Sequence, residues 1–163
     1  MQMILVSACL LGQKVRYDGG DCRQDGLLAG WAGEGRIVPL CPEVEGGLPV
    51  PRPAAEIETG NAEAVLFGRS RIRTKRGKDV TDAFMDGAEK ALALCRQHGI
   101  RMAILKEGSP SCGSARVADG TFSGMKMAGQ GLTTRLLERH GIRVFSEERM
   151  DEAAAWLNWI EAN

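Results

Sequence analysis

Four short runs that are mostly apolar in their interior set the strongest limit on how this chain can fold. They cover residues 3–8, 36–40, 101–106 and 143–146. A strand with one solvated face alternates apolar and polar residues, whereas a strand covered on both faces is apolar along its length. Helical patterns over residues 25–31, and beginning near residues 81, 132 and 148, separate and follow the runs. This alternation predicts an α/β fold, a Rossmann-like, mostly parallel sheet with helices on both faces.

The middle of the chain departs from this alternation. Residues 41–60 contain Pro42, Pro49, Pro51 and Pro53, which exclude a helix or a central strand and predict a long, stiffened loop. Residues 63–78 then predict two short strands around Gly68 and a basic turn. We therefore expect a small β-hairpin inserted into the α/β fold.

Length and charge favour an ordinary globular protein. A chain of 163 residues can bury one core, so we expect a single domain over residues 1–163. The 21 basic and 21 acidic side chains balance, so no overall charge attracts nucleic acid or membrane lipid. No apolar run is long enough to cross a bilayer, and the first residues lack the features of a signal peptide. We expect a cytoplasmic protein with no membrane partner.

Three of the five cysteines occupy equivalent positions in the predicted fold. Cys9, Cys41 and Cys112 each come at or shortly after the end of an apolar run. In a parallel sheet, the carboxyl ends of the strands meet at one edge, and ligands bind there. We therefore expect these three thiols to lie close together although they are far apart in the sequence.

Three converging thiols suit an iron–sulfur cluster better than a structural zinc ion. Zinc would need a fourth protein ligand and usually has Cys-x-x-Cys pairs, which the chain lacks. His98 and His140 each precede a glycine that suits a helix C-terminus, so both are predicted to be structural. A cluster held by three cysteines leaves one iron free to act as a Lewis acid. The alternative is that the three thiols are unrelated and buried.

The two remaining cysteines are predicted not to bind metal. Cys95 lies on the apolar stripe of the helix that begins near residue 81, and Cys22 lies in a polar turn. Two other polar residues lie beside the predicted ligands instead. Glu43 and Ser109 would bring a carboxylate and a hydroxyl to the same edge, where a carboxylate can move protons. The alternative for Glu43 is that it accepts hydrogen bonds from loop amides.

Two further segments leave a structural and a functional interpretation open. Residues 69–78 carry six basic side chains, which suit either the solvated face of an edge hairpin or a contact with phosphate or RNA. Residues 129–134 open a helix after glycines, which suits either an ordinary cap or an amide site for phosphate.

The motifs around the three cysteines resemble those of the 2-thiouracil desulfidase family. The matching segments are residues 7–12 (SACLLG), 15–19 (VRYDG), 41–43 (CPE), 46–48 (GGL), 51–52 (PR) and 109–113 (SPSCG). The resemblance continues through residues 77–81 (GKDVT), 120–124 (GTFSG) and 131–133 (GLT), so it spans almost the whole chain.

This resemblance implies a cofactor, a reaction and a set of site residues. It implies a [4Fe-4S] cluster held by Cys9, Cys41 and Cys112, with Glu43 and Ser109 at the catalytic positions. The implied reaction is a non-redox hydrolysis in which a thiocarbonyl becomes a carbonyl and the sulfur leaves as sulfide. Other motif residues are predicted to bind the substrate, namely Ser7, Arg16, Arg52, Ser111, Gly113, Gly131 and Thr133.

The resemblance leaves the substrate open, and two rival functions remain. The substrate is a thiolated pyrimidine such as 2-thiouracil or 4-thiouracil, or alternatively 4-thiouridine or its nucleotide. A non-catalytic iron–sulfur or zinc sensor is one rival function. An RNA-binding accessory domain is the other, but residues 69–78 lack aromatic side chains for base stacking. We expect a small-molecule partner and no stable nucleic-acid partner; the oligomeric state is left open.

Overall fold

The computed structural model describes all 163 residues, which form eight strands and six helices. The strands are β1 (Ile4–Ser7), β2 (Ile37–Leu40), β3 (Ala55–Ile57), β4 (Ile72–Thr74), β5 (Met102–Leu105), β6 (Arg116–Ala118), β7 (Lys126–Ala128) and β8 (Arg143–Ser146). The helices are α1 (Leu27–Gly33), α2 (Pro42–Glu45), α3 (Ala62–Leu66), α4 (Thr81–His98), α5 (Leu132–Arg139) and α6 (Met150–Ala162). No helix is long and apolar enough to cross a membrane.

The four predicted apolar runs form one parallel sheet in the order β2-β1-β5-β8. Alternate residues of each strand enter different cores because successive side chains point to opposite faces. Ile4 and Val6 pack against α1 and α6, whereas Leu5 packs against α4 and α5. The sheet is thus covered by helices on both faces, and the predicted α/β fold is confirmed.

Several local predictions about the helices are also confirmed. Cys95 is buried in the core between the sheet and α4. The helix that carries it ends at His98, and Gly99 follows in the left-handed conformation that suits a C-terminal cap. His140 forms the cap of α5 and is likewise followed by a glycine with positive φ.

The prediction of an irregular loop over residues 41–60 is wrong at two places. Pro42 to Glu45 form the one-turn helix α2, with Pro42 in its first turn, where the missing N–H would have no helical partner. Residues Ala55–Ile57 form β3, which pairs with β4 in a separate two-stranded sheet rather than as a central strand. The prolines therefore allowed a helix that begins at proline and a strand in a small separate sheet, and they excluded neither element.

The predicted hairpin around Gly68 is also wrong in its first strand. Residues Ala62–Leu66 form α3, and the Oδ1 atom of Asn61 caps it by accepting a hydrogen bond from the Ala64 amide at 3.1 Å. The antiparallel partner of β4 is β3, which lies earlier in the chain. A second two-stranded antiparallel sheet, β6–β7, forms over residues 116–128, for which no strand was predicted.

Helix α2 lies against α4 with backbone in contact with backbone. A Cβ atom at Gly87 of α4 would overlap the Pro42 carbonyl, and one at Gly46, directly after α2, would overlap the Ala83 carbonyl. Both positions therefore require the absence of a side chain. This contact fixes the segment that carries Cys41 and Glu43 against the longest helix of the protein.

We expect Gly87→Ala to destabilise the protein even though alanine is the better helix former. The new methyl group must push α2 away from α4, and such overpacking costs about 2–3 kcal/mol. Urea unfolding of the purified protein measures the change in the free energy of unfolding.

Gly30→Ala is the matched control, because Gly30 lies inside α1 with no atom within 4 Å of an added Cβ. It should leave stability unchanged or raise it by up to about 1 kcal/mol. Equal effects of the two substitutions would show that the α2–α4 contact does not require glycine.

Candidate functional site

A cavity of about 460 Å³ opens at the carboxyl ends of β1, β2 and β5. Cys9, Cys41 and Cys112 all line it. Cys9 lies in a 3-10 turn directly after β1, and Cys41 is the N-cap of α2 directly after β2. Cys112 lies in the irregular loop that follows β5. The parallel sheet therefore brings the three predicted thiols to one cavity.

Burial keeps these thiols protonated in the protein without a metal. Burial, together with the charges of Cys22 and Cys41, raises the pKa of Cys9 to about 12. Burial also raises the pKa of Cys41, and it raises the pKa of Cys112 far above the ordinary value of 9.0. A thiol of this kind loses its proton when a metal takes the proton's place, so metal binding would release protons here.

The donor set suits a cluster and not a single ion. No group of three His, Cys, Asp or Glu side chains converges closely enough to hold one metal ion. In an iron–sulfur cluster, each cysteine binds a different iron, so the sulfurs can stand farther apart than around one ion. Three thiols on one cavity wall, of which Cys9 and Cys112 are buried and Cys41 is partly buried, fit that requirement, and no histidine is among the lining residues.

Glu43 lies in the same cavity and is held by Arg52. The Nε atom of Arg52 donates to Oε1 of Glu43 at 3.1 Å, and the guanidinium also donates to the carbonyls of Pro49 and Val15. The Arg52 side chain is only 4% exposed and the Glu43 side chain 17%. Burial raises the pKa of Glu43, although Arg52 and Ser109 oppose the shift. A carboxyl whose pKa is raised in a cavity is suited to acid–base chemistry.

Ser109 lies in the same cavity as Glu43 and holds the loop of Cys112 in shape. Its Oγ atom accepts hydrogen bonds from the amides of Ser111 and Cys112, each at 3.0 Å. Two donors thus occupy the oxygen, and the hydroxyl proton remains available for another acceptor. Ser109 acts to lower the pKa of Glu43, so the hydroxyl and the carboxyl lie near each other. The sequence predicted both residues at one edge, and the structure brings both into this cavity.

The substrate contacts predicted at the start of α5 do not reach the cavity. Ser111 and Thr133 are buried and hydrogen-bond each other at 2.8 Å between their hydroxyl oxygens. Gly131 donates its amide to the carbonyl of Gly113 at 2.8 Å, and a Cβ atom on Gly131 would overlap Ser111. These four residues pack α5 against the loop of Cys112.

The phosphate interpretation of the same helix start is not supported. The amides of Leu132, Thr133 and Thr134 donate to the carbonyls of Pro110 and Ser111. The N-terminus of α5 therefore binds the loop of Cys112 and has no amide in its first turn free for an anion.

Cationic side chains form much of the remaining cavity wall. Arg16, predicted from its motif, lines the cavity together with Lys106, Arg116 and Lys126, which the sequence did not single out. Lys106 also pairs with Glu147 at 2.9 Å. Because the charges of the chain balance overall, only their positions in the fold reveal this local excess.

Most of the basic run over residues 69–78 points away from the cavity. Arg71 pairs with Asp79, and Arg73 pairs with Glu58, as expected for a charged edge strand. Lys75 and Arg76 are exposed and line a second depression, which shares Arg52 and Ala54 with the main cavity.

Glu107 is a buried residue that no sequence motif singled out. Its carboxylate accepts hydrogen bonds from the Gly108, Ser114, Ala115 and Arg116 amides and from the Ser114 hydroxyl. Burial acts to raise its pKa, but these hydrogen bonds outweigh burial and lower it below 4.5. An acid directly after a buried strand and before a glycine was the available signal. Glu107 holds the loop of Cys112 in shape.

We expect Glu107→Gln to lower the free energy of unfolding by about 2 kcal/mol near pH 7, because a neutral amide replaces a charged acceptor. Since the folded-state pKa is depressed, this contribution is complete above 4.5 and is lost as the pH falls through the lower folded-state value. Urea unfolding at stepped pH should therefore show the gap between the variant and the original protein closing in acid.

Glu148→Gln is the control, because Glu148 is half-exposed and its charge pairs with Arg116 on the surface. It should change stability by less than about 0.5 kcal/mol. A constant gap for Glu107→Gln at every pH would contradict the proposed ionised state of Glu107.

Known proteins resemble this chain over almost its whole length. The profile of the 2-thiouracil desulfurase family matches residues 4–149. The chain is 44% identical to the uncharacterized protein YbbK of Bacillus subtilis (strain 168) over 92% of its own length and 99% of that protein. A solved structure of the [4Fe-4S]-dependent thiouracil desulfidase TudS superposes with a TM-score of 0.90 and 51% identity, covering 98% of this chain and 99% of that one. The chain thus belongs to the 2-thiouracil desulfurase family, a family of enzymes.

Proposed function

We propose that this protein is an iron–sulfur-dependent desulfidase that removes sulfur, as sulfide, from thiolated pyrimidines such as 2-thiouracil or 4-thiouracil. One observation carries the proposal. Three thiols from three strand ends share a cavity with the partly buried carboxyl of Glu43 and hydroxyl of Ser109. The similarity to a [4Fe-4S]-dependent thiouracil desulfidase over 98% of the chain supports it.

The proposed cofactor is a [4Fe-4S] cluster with Cys9, Cys41 and Cys112 as its ligands. When bound, such a cluster supplies a thiophilic, Lewis-acidic iron without a protein ligand, to which a thiocarbonyl sulfur can bind. Arg16 and Lys106 line the same cavity, and their charges favour the thiolate form of Cys9. The chain thus provides positive charge beside the ligand that loses its proton.

The proposed role of Glu43 is proton transfer. A thiocarbonyl and one water give a carbonyl and hydrogen sulfide, so a proton must leave the attacking water and the departing sulfur must be neutralised. Burial raises the pKa of Glu43, which suits it to take the proton from water or to protonate a ring nitrogen. Ser109 lines the same cavity as that carboxyl and orients the substrate or relays the proton. Arg52 holds the carboxyl in place.

The whole chain is proposed to act as one domain over residues 1–163. The segments that follow the paired strands β1, β2 and β5 supply the proposed ligands, and both helical layers support these strands. All five cysteines are free, and the three ligand thiols must remain reduced. These requirements favour a cytoplasmic location.

We expect anaerobically reconstituted protein to show iron–sulfur absorbance and to release sulfide from thiouracils. Cys9→Ala, Cys41→Ala and Cys112→Ala should each lose both properties, whereas the core substitution Cys95→Ala should keep both. In the same assay, Glu43→Gln should retain the absorbance while sulfide release falls by at least about a hundredfold. Glu45→Gln, an exposed carboxylate of the same helix, is its matched control.

The outcomes separate the rival functions. Full turnover by iron-free protein would contradict the proposal. A bound cluster without turnover of any thiopyrimidine would favour a non-catalytic iron–sulfur sensor, and stoichiometric zinc without iron would favour a zinc-binding protein. RNA binding that weakens steeply with salt, without turnover, would favour the RNA-binding interpretation of residues 69–78.

A thionucleotide is the second candidate substrate, and the depression beside the cavity favours it. Lys75 and Arg76 are exposed there, and Arg52 and Ala54 line both spaces. A pyrimidine in the main cavity would leave this basic depression for a phosphate group. The free base would make no use of it.

For a nucleotide substrate, Lys75→Ala combined with Arg76→Ala should raise the Michaelis constant for the nucleotide (4-thio-UMP) about tenfold, because a charge-assisted contact is worth about 1.4 kcal/mol. The Michaelis constant for the free base (4-thiouracil) should not change. Sulfide release from free bases, nucleosides and nucleotides measures both quantities.

Arg69→Ala combined with Lys78→Ala is the control, since it removes two charges of the same basic run outside the depression. If the original protein turns over the free base as well as the nucleotide, and the first double variant changes neither Michaelis constant, the nucleotide alternative is wrong.

A further inference from the structure

The sulfur of Cys112 has a side-chain hydrogen-bond partner. The Oγ atom of Ser7 lies 3.6 Å from Sγ of Cys112, and the two residues are only 2% and 5% exposed. Ser7 ends β1, and Cys112 follows β5, so the pairing of these neighbouring strands brings together residues that are 105 positions apart. The two inner strands of the sheet therefore determine the position of both residues.

The direction of this hydrogen bond follows from the other bond of the same hydroxyl. The Lys106 amide donates to Ser7 Oγ at 3.0 Å, where the backbone pairing of β1 with β5 ends. With an amide donating to the oxygen, the single hydroxyl proton is available for the sulfur. A thiolate ligand has no proton of its own, so Ser7 must be the donor whenever Cys112 binds a metal.

The three thiols differ in the hydrogen-bond donors that their sulfur atoms have. Cys41 lies at the start of α2, where the amides of Glu43 and Val44 lower its pKa against burial. Cys9 has neither a side-chain donor nor an amide of this kind. Cys112 alone has a partner that a substitution can remove without altering the backbone.

We infer that Ser7 is a positioning residue for Cys112, whose hydroxyl donates to the ligand sulfur, orients it and withdraws electron density from it. This inference rests on the proposed function, since it takes Cys112 to be a cluster ligand. Hydrogen bonds to cysteine sulfurs raise the reduction potential of iron–sulfur centres. The same withdrawal makes the iron a stronger Lewis acid. Ser7 also lines the cavity, and the substrate contact predicted from its motif stays a prediction.

The experiment compares Ser7→Ala and Ser7→Thr with the original protein, all reconstituted anaerobically. In Ser7→Ala, the reduction potential should shift to a more negative value. Loss of the cluster to a chelator should be about tenfold faster, and sulfide release about tenfold slower, as is usual when an outer partner of a metal ligand is removed. Ser7→Thr keeps the hydroxyl and should restore the potential.

Thr134→Val is the matched control for loss of a buried hydroxyl. Thr134 is fully buried, and its Oγ1 atom donates to the carbonyl of Cys112 at 2.9 Å, not to the sulfur. Its removal should cost stability but leave the reduction potential unchanged. A shift equal to that of Ser7→Ala would mean that any weakening of this loop changes the potential, and would overturn the inference.

Two readouts keep this inference separable from the proposed function. If the original protein binds no cluster or releases no sulfide, the proposed function fails. If it does both, and Ser7→Ala has the same potential and rate of cluster loss, only the role of Ser7 fails. Should Ser7→Ala not fold, Ser7→Gly, which also removes the hydroxyl, takes its place. An unchanged potential and an unchanged rate of cluster loss in that variant would overturn the inference.

Discussion

The parallel pairing of β1 with both β2 and β5 determines where the whole candidate site lies. Parallel strands present their carboxyl ends at the same edge, so residues from three distant parts of the chain meet there. The pairing also brings the Ser7 hydroxyl beside Cys112, and Ser7 directly precedes the 3-10 turn of Cys9. A single rule of sheet geometry thus supplies the thiols, their hydrogen-bond partner and the cavity between them.

Much of this arrangement was predictable, because buried parallel strands have an unmistakable sequence pattern. The four apolar runs located the sheet, and the position of each cysteine at the end of a run located the site. Helix α3 was missed because its apolar residues suit a strand as well as a helix. Only the cap at Asn61 indicates a helix there. Helix α2 was missed because proline argues against the interior of a helix, whereas here it begins one.

The residues that hold the site in shape were harder to predict than those that face it. Glu107 accepts hydrogen bonds from the amides of a loop whose path cannot be predicted from the spacing of residues in the sequence. Ser111 and Thr133 hydrogen-bond each other although they are 22 positions apart. The sequence placed Ser111 and Thr133 in motifs and so suggested contact with substrate. Their burial shows that a residue in a functional motif can serve the loop rather than the ligand.

The contact between Gly46 and Gly87 has a consequence for the range of substrates. With backbone against backbone between α2 and α4, these two glycines leave no side chain that could be shortened to let α2 move back from the cavity. Another part of the wall includes Lys126 of the β6–β7 sheet, where all three residues of β7 are exposed. Relatives that accept larger molecules would have to gain that room there, and an engineer who wishes to redesign selectivity should vary β7 first.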